Sequence, residues 1–491
     1  MSRSRDGRDV AQAKTQLTDP LLPFLSLALD GNILRHFCQR LICADFDASI
    51  GNCRVTRVRL RRARRCIIQY RLTLHLADGS EQDHCLVGYQ YADRNKFRAR
   101  ANRLRRSTAG RQPVDGLLPG IVIDEISLLL QRFPFDHRLP SLSGFYFDID
   151  RLVKNHLVQL LGSNDWQLES LDTRVARWRV GLSAVLRLGL ELKRSNGSES
   201  RQLELFARLD GAATDTRIKS RLEQVQSGGR LPFDLAPTLL SVPQQGFTIQ
   251  AAAGGLSLET LLVEGRATID DARRLASVLA QWHGSDEPLQ SRYTREKYEA
   301  DLARTVRLLG GIVPACSLRL ERLMRRITRC MNHDLYRPAH LDLKPEHIFF
   351  EADRITLIDV ESAADAHPML DIAILYVRLR HAATLYGLPG SAARYFALQL
   401  MSAYHDLAPA GWWRNFSVCY AWALLTLARH FFVCQQPAWP DSIEGFVGEA
   451  ECALSRGAGS LPFLPGARHR GKSVHRDRPG QRLWPNREIL A

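Results

Sequence analysis

The sequence predicts an α+β protein in which a small antiparallel-sheet lobe is followed by a mainly helical lobe, with an extra sheet lobe in front. Three observations carry this. Two β-rich segments recur at a fixed offset, each around a tight hairpin turn. After residue 269 the apolar residues fall at helical spacing. The chain has 491 residues, enough at roughly 100–200 residues per domain for about three units.

The repeat comes first along the chain. Thr56-Arg57-Val58 recurs as Thr173-Arg174-Val175, and the turn Asp78-Gly79-Ser80 recurs as Asn196-Gly197-Ser198. Apolar, alternating runs flank both turns: CIIQYRLTLHL and HCLVGYQYAD in one copy, AVLRLGLEL and LELFARLDG in the other. Asp-Gly and Asn-Gly between such runs signal β-hairpins. Pro119 and Pro237 extend the same register. Each copy reads as a small antiparallel sheet with a helix between its middle and later strands, and duplication is the simplest account. The expected organisation is a basic, helical N-terminal segment (1–45), an N-lobe-like copy (46–150), a second sheet lobe (165–260), a helical lobe (261–456) and a basic, disordered tail (457–491).

In the helical lobe, Leu275, Val278, Leu279 and Trp282 lie at i, i+3, i+4 and i+7, one face of a helix that opens near Ile269 and stops near Gly284. A second helix is expected around Leu318–Met331, and the stretch from Asp371 to about Val447 reads as mostly helical.

Composition narrows the class. The hydrophobic fraction of 45% and charged fraction of 24% exclude collagen-like, coiled-coil and wholly disordered chains. The apolar run Phe416–Ala428 stops at Arg429-His430 and is expected to be a buried helix rather than a membrane span. The polar N-terminus lacks an apolar signal core. Ten cysteines without a CxxC pair argue against a disulfide framework or a structural zinc site. The expectation is a cytoplasmic protein with reduced thiols and no transmembrane segment.

The net charge of +15 is uneven: residues 1–111 carry a balance of +12 and residues 456–491 one of +6, leaving −3 for the middle. The central chemistry therefore does not require a polyanion. Arg57–Arg65 could meet nucleic acid or an anionic surface, but no nucleic-acid motif accompanies it. A strand with outward arginines is the preferred reading.

The stretch that carries chemistry is His340-Leu-Asp342-Leu-Lys344-Pro-Glu-His347, followed by Ile355-Thr-Leu-Ile-Asp359-Val-Glu361. A turn presenting Asp342, Lys344 and His347 precedes a short hairpin that delivers Asp359 beside it. Two carboxylates, an ammonium and an imidazole suit a divalent cation and a transferring phosphoryl group, because the transfer needs an oriented hydroxyl, metal ligands and neutralisation of the γ-phosphate.

This stretch resembles the catalytic loop of the protein-kinase-like two-lobe fold, pattern H-x-D-x-K-x-x-N, with its metal-binding Asp downstream. It is more similar to the aminoglycoside phosphotransferase and choline kinase branch than to protein kinases. Asp359 stands in Ile-Asp-x-Glu, and His367-Pro368-Met-Leu-Asp371-Ile-Ala resembles that branch's D-P-x-x-D-L-A. Leu279-Ala280-Gln-Trp282-His283 and Gly255-Leu-Ser257-Leu258 resemble two further elements of it. The resemblance covers roughly residues 165–455. It implies an antiparallel-sheet N-lobe, a helical C-lobe, ATP or GTP with Mg²⁺ or Mn²⁺, and a small-molecule or saccharide hydroxyl as acceptor.

Residue by residue, the resemblance implies Asp342 as catalytic base and Lys344 facing the γ-phosphate. Asp359 would be a metal ligand with Glu361 assisting, and His340 and Asp371 would tie the catalytic loop to the helical lobe. Two departures stand out. His347 replaces an Asn ligand; imidazole is softer than an amide oxygen and changes charge near pH 6.5. Arg208 stands where a phosphate-gripping Lys belongs, with Glu223 as its expected ion-pair partner and Gln90 as its counterpart in the first copy. Only Gly181 represents the glycine-rich loop.

The first copy has no catalytic loop. Packing, binding a protein partner or covering an acceptor are its candidate jobs. Trp412, Trp413, Tyr420 and Trp422 either stack on a sugar or belong to the core. The leading reading is an ATP-dependent phosphotransferase. The alternative is a pseudokinase acting as a binding or regulatory module, which the Arg208 and His347 positions favour.

Overall fold

In this computed structural model, the residues described are 17–108, 113–197, 199–211, 217–388 and 390–456. The proposed basic tail 457–491, the first 16 residues of the N-terminal segment and Ser198 of the second turn lie outside them.

Two short helices, α1 (Leu25–Ala28) and α2 (Gly31–Cys38), precede strands β1 (Ala48–Arg61), β2 (Arg65–Leu76) and β3 (Glu81–Tyr91), then α3 (Arg94–Thr108), β4 (Gly120–Ile123) and β5 (Leu128–Arg132). Helices α4 (Ser141–Asn155) and α5 (Leu157–Leu161) lead to β6 (Trp166–Arg179), β7 (Ser183–Arg194), β8 (Ser200–Asp210), α6 (Arg217–Ser227), β9 (Asp234–Leu235), β10 (Thr238–Val242) and β11 (Phe247–Ala251). The strands form where apolar and polar residues alternate. In β7, Leu186, Leu188, Leu190 and Leu192 are buried while Arg187, Glu191 and Lys193 face water.

The two five-stranded sheets share one antiparallel topology, β1-β2-β3-β5-β4 and β6-β7-β8-β11-β10. Each has its helix between the third and fourth strands and a 3₁₀ turn between the fourth and fifth, Asp124–Ile126 and Pro243–Gln245. Both first strands are bulged at matching places, Ile50/Asn52 and Leu168/Ser170. A second bulge lies closer to the turn in the second sheet, at Val175/Arg177 rather than Val55/Arg57.

One sequence expectation is corrected here. The hairpin after β7 is one residue longer than that after β2, so the register of the third strands shifts by one. Arg208 pairs with Thr248 and Tyr89 with Leu129, so the counterpart of Arg208 is Tyr89 and not Gln90. A one-residue slip puts a side chain on the opposite face. Gln90 is buried and donates to the carbonyls of Phe24 and Ile126, a structural role.

The rest of the chain is mainly helical: β12 (Leu256–Ser257), α7 (Leu258–Val263), α8 (Ile269–Gly284), α9 (Arg295–Ile312), α10 (Ser317–Cys330), β13 (Arg337–Ala339), β14 (Ile348–Glu351), β15 (Arg354–Leu357), β16 (Ala364–Ala366), α11 (Met369–Arg380), α12 (Ala382–Tyr386), α13 (Gly390–Leu407), α14 (Phe416–Val433) and α15 (Trp439–Arg456). Helix α8 starts with a reciprocal cap. The Thr268 hydroxyl accepts from the Asp271 amide at 3.1 Å, and the Asp271 carboxylate accepts from the Thr268 amide at 2.9 Å. It buries Leu275, Leu279, Trp282 and His283.

The apolar run around Phe416 is longer than the sequence suggested, since Arg429-His430 does not end the helix. Ala410–Val433 spans 24 residues with mean hydropathy 1.4 over its best 18-residue window, long and apolar enough to cross a membrane. Yet 78% of that window is buried inside the protein, as in a core helix. Trp412, Trp413, Tyr420 and Trp422 are all buried, so they are core residues and not a stacking platform.

The chain divides into two compact units. One comprises residues 1–133, 307–318 and 428–446; the other comprises 134–306, 319–427 and 447–491. The first unit holds the first sheet, with Ile68, Leu72, Leu74, Leu86 and Leu130 in its core. The second holds the second sheet and residues 340–361, and every residue of the candidate site discussed below belongs to it.

Candidate functional site

The site starts from a short strand pair. β13 and β16 pair antiparallel, β14 and β15 form a hairpin, and β12 and β9 flank that hairpin. The loop 340–347 leaves β13 and runs through a 3₁₀ turn at Pro345–His347 into β14. Gly255, just before β12, has φ +78°, and a Cβ there would stand 2.0 Å from the Phe350 carbonyl oxygen. Only glycine allows β12 to approach β14 so closely.

Two non-glycine residues take left-handed backbone at the site, Leu341 (φ +63°) and Asp359 (φ +57°). Such strain persists only where surrounding contacts over-determine it. At Leu341 the contacts come from Asp371, in the first turn of α11. Its fully buried carboxylate accepts from the His340 and Leu341 amides, each at 2.6 Å. His283 Nε2 lies 3.3 Å from the same carboxylate, and its Nδ1 lies 2.8 Å from the Tyr404 hydroxyl. His340 Nε2 bonds the Ile358 carbonyl at 2.9 Å, joining the loop to the end of β15.

These constraints bring Asp342, His347 and Asp359 together. One ligand atom from each lies within 4.8 Å of the others. His347 Nε2 is 3.6 Å from Asp359 Oδ2. Burial, and then the nearby Lys344 charge, push the His347 pKa down to about 4, which keeps the imidazole neutral and its lone pair available at pH 7. Burial pushes the Asp359 carboxyl up, but the Arg177 guanidinium and His347 outweigh it and hold it well below the usual carboxylate range. Two carboxylates and a neutral imidazole fit a divalent cation. Lys344 Nζ stands 2.7 Å from Asp342 Oδ2.

The expected nucleotide side is arranged differently. Arg208 does not pair with Glu223. Its Nε donates to Asp210 at 2.9 Å and its NH1 bonds Glu361. Glu361 therefore faces Arg208 rather than the Asp342–His347–Asp359 group. Glu223 instead accepts from the Thr238 hydroxyl at 2.8 Å and lies 3.7 Å from Lys219 Nζ. Gly181, φ +69°, makes the β6–β7 turn, but its amide donates to Asp136 Oδ2 at 2.6 Å and so is not free for a phosphate. Trp178 Nε1 donates to the same oxygen.

Two cations that sequence reasoning passed over lie here. Arg177, at the end of β6, places NH1 2.8 Å from Asp359 Oδ2. Lys219 lines a cavity of about 380 Å³ together with Arg208, Glu223, Thr248, Gln250 and Glu361. Burial lowers the Lys219 pKa, and its Nζ makes no hydrogen bond among the described residues. Neither stands at a position the catalytic pattern names. The only signal was helical spacing: Ile218, Leu222 and Val225 form the buried face of α6, with Lys219 and Glu223 on the adjoining stripe.

The model of the phosphotransferase enzyme family matches residues 229–410. No curated protein matches the sequence. Among solved structures, a choline kinase from Streptococcus pneumoniae is similar at 14% identity and TM-score 0.41, covering 63% of this chain and 99% of its own. A macrolide 2'-phosphotransferase from Brachybacterium faecium aligns at 17% identity and TM-score 0.38, covering 61% and 98%. A choline kinase from Cryptosporidium parvum aligns at 11% and 0.44, covering 63% and 96%. The segment similar to the phosphotransferase enzyme family contains Asp342, His347 and Asp359.

Proposed function

We propose that this chain transfers the γ-phosphoryl group of ATP or GTP to a hydroxyl of a small molecule or saccharide. The observation that carries this reading is the convergence of Asp342 and His347, on a loop held by Asp371, with Asp359 just after β15, their ligand atoms within 4.8 Å. Asp342 accepts the proton of the acceptor hydroxyl as its oxygen attacks the γ-phosphorus. The bond from that phosphorus to the bridging oxygen breaks, and the nucleoside diphosphate leaves. Lys344, beside Asp342, adds positive charge near the transferred group. Asp359 and His347 would hold Mg²⁺ or Mn²⁺, which when bound neutralises charge developing on the phosphates. His340 and Asp371 keep Asp342 in place without touching substrate.

The test is a thermal-shift titration with ATP and with GTP, in Mg²⁺ and in Mn²⁺, for the native chain and Asp359→Ala. At a 1,000-fold excess over Kd, binding adds about 4 kcal/mol of stability. The reading requires a shift that needs metal and is lost in the variant, followed by phosphate transfer in a screen of hydroxyl acceptors.

A second reading, a pseudokinase that binds without catalysis, is favoured by one observation: Arg177 engages Asp359 while the Gly181 amide is engaged by Asp136. Nucleotide-dependent stabilisation without transfer to any acceptor, and without nucleotide hydrolysis, would select it.

A further inference from the structure

The Asp359 oxygen that faces His347 is also the one that Arg177 holds. Oδ2 is 2.8 Å from Arg177 NH1 and 3.6 Å from His347 Nε2. A divalent cation shared by Asp359 and His347 must therefore compete with a guanidinium for one oxygen. The strand is shaped for this contact. Its second bulge falls at Val175/Arg177, closer to the turn than the bulge of the first sheet, and bulges re-aim the side chains they carry. The Arg177 side chain is 37% exposed, against 20% for Asp359, so its head can leave the carboxylate without a large repacking. Once displaced by a like-charged ion, a guanidinium at this place needs an anion, and a phosphate offers matching two-point geometry. On the nucleotide side, two of the residues expected to meet phosphate are engaged elsewhere, Arg208 by Asp210 and Glu361 and the Gly181 amide by Asp136.

We propose that Arg177 is a two-position cation: it neutralises Asp359 until a divalent cation arrives, then moves onto the phosphates of the nucleotide. The proposal rests on the nucleotide-site reading given above. It makes this chain's phosphate grip depend on strand β6 rather than on the β8 position.

Two binding measurements on Arg177→Ala test it, with circular dichroism and melting temperature confirming that the variant is folded. The first is direct Mn²⁺ binding without nucleotide, followed by the paramagnetic signal of the free ion. Losing the competing guanidinium should tighten Mn²⁺ by roughly tenfold, the scale of one charged hydrogen bond. The second is calorimetric binding of adenylyl imidodiphosphate in saturating Mn²⁺, which should weaken by about tenfold. Arg177→Lys, which keeps the charge and loses the fork, should fall between in both. Opposite signs in the two experiments are the signature, since a merely structural arginine would move both in the same direction or neither. Unchanged or same-sign effects overturn the proposal. A native chain that binds Mn²⁺ but no nucleotide in any metal instead overturns the nucleotide reading, and the phosphate half of the proposal with it.

Discussion

The carboxylate of Asp371 accepts the amide of Leu341 at 2.6 Å, and Leu341 is a non-glycine residue whose φ of +63° places it in the left-handed region. The hydrogen bond and the strain belong together. The loop holds Asp342 in place because a fully buried charge, 30 residues further along the chain, fixes the peptide before it.

Asp371→Asn should therefore do more than remove a charge. One acceptor oxygen becomes a donor facing another donor, at a cost of about 2–3 kcal/mol. Denaturant melts should show that loss. Any phosphoryl-transfer activity should fall by more than the stability loss explains, because Asp342 is no longer positioned. Asp371→Asn retaining both full stability and full activity would refute the positioning role.

Arg208 and Lys219 should respond very unequally to neutralisation. Arg208→Ala strands the carboxylates of Asp210 and Glu361, both more than four-fifths buried, and breaking such a pair typically costs about 3–5 kcal/mol. Lys219→Met removes an ammonium that burial disfavours and that lies 3.7 Å from its nearest carboxylate. Its stability should change by about 1 kcal/mol or less. Urea unfolding of both variants decides this, and equal effects would contradict the assigned pairings.

His367 supplies a pH dependence. Burial, then the nearby His283, pushes its pKa down to about 4, and its Nδ1 accepts from the Met369 amide at 3.2 Å, so the folded state needs the neutral ring. The unfolded chain takes up a proton near the ordinary value of 6.5. Protons thus favour the unfolded state between those two values. The contribution of His367 is constant above pH 6.5 and is lost as the pH falls towards 4, by about 2 kcal/mol at pH 5. His367→Gln should flatten the stability profile between pH 7.5 and 5. An unchanged slope would show that His367 is not the group responsible.

Gly255→Ala should destabilise by more than about 2 kcal/mol, since it adds a steric clash with the Phe350 carbonyl to left-handed strain. Gly79→Ala is the comparison. It has φ +81° but nothing within 4 Å of the added methyl, so only the backbone term of about 1 kcal/mol remains. Hydrogen exchange at Phe350 should rise in the first variant and stay unchanged in the second.

Sequence and structure divide along a physical line. The hairpins were readable because Asp78-Gly79 and Asn196-Gly197 act locally and because alternation in β2 and β7 records which face is buried. Helix α8 was readable from its 3.6-residue period, and the catalytic stretch because Asp342, Lys344 and His347 are neighbours in the chain. The slip that pairs Tyr89 rather than Gln90 with the Arg208 position was hidden in one extra turn residue, which leaves no trace in the apolar pattern.

What only the tertiary structure decided is which charges meet. Arg177 finds Asp359 across 182 residues, and Arg208 finds Glu361 across 153. An arginine side chain reaches in many directions, and its partner is set by how strands and loops pack, not by any period in the sequence. The sequence by itself put Asp342, Lys344 and His347 on one loop and Asp359 just past a following hairpin. Packing determined that Asp359 is already held by a guanidinium and that Arg208, the expected phosphate grip, is already paired, because a charge taken from water is costly unless it meets a counter-charge.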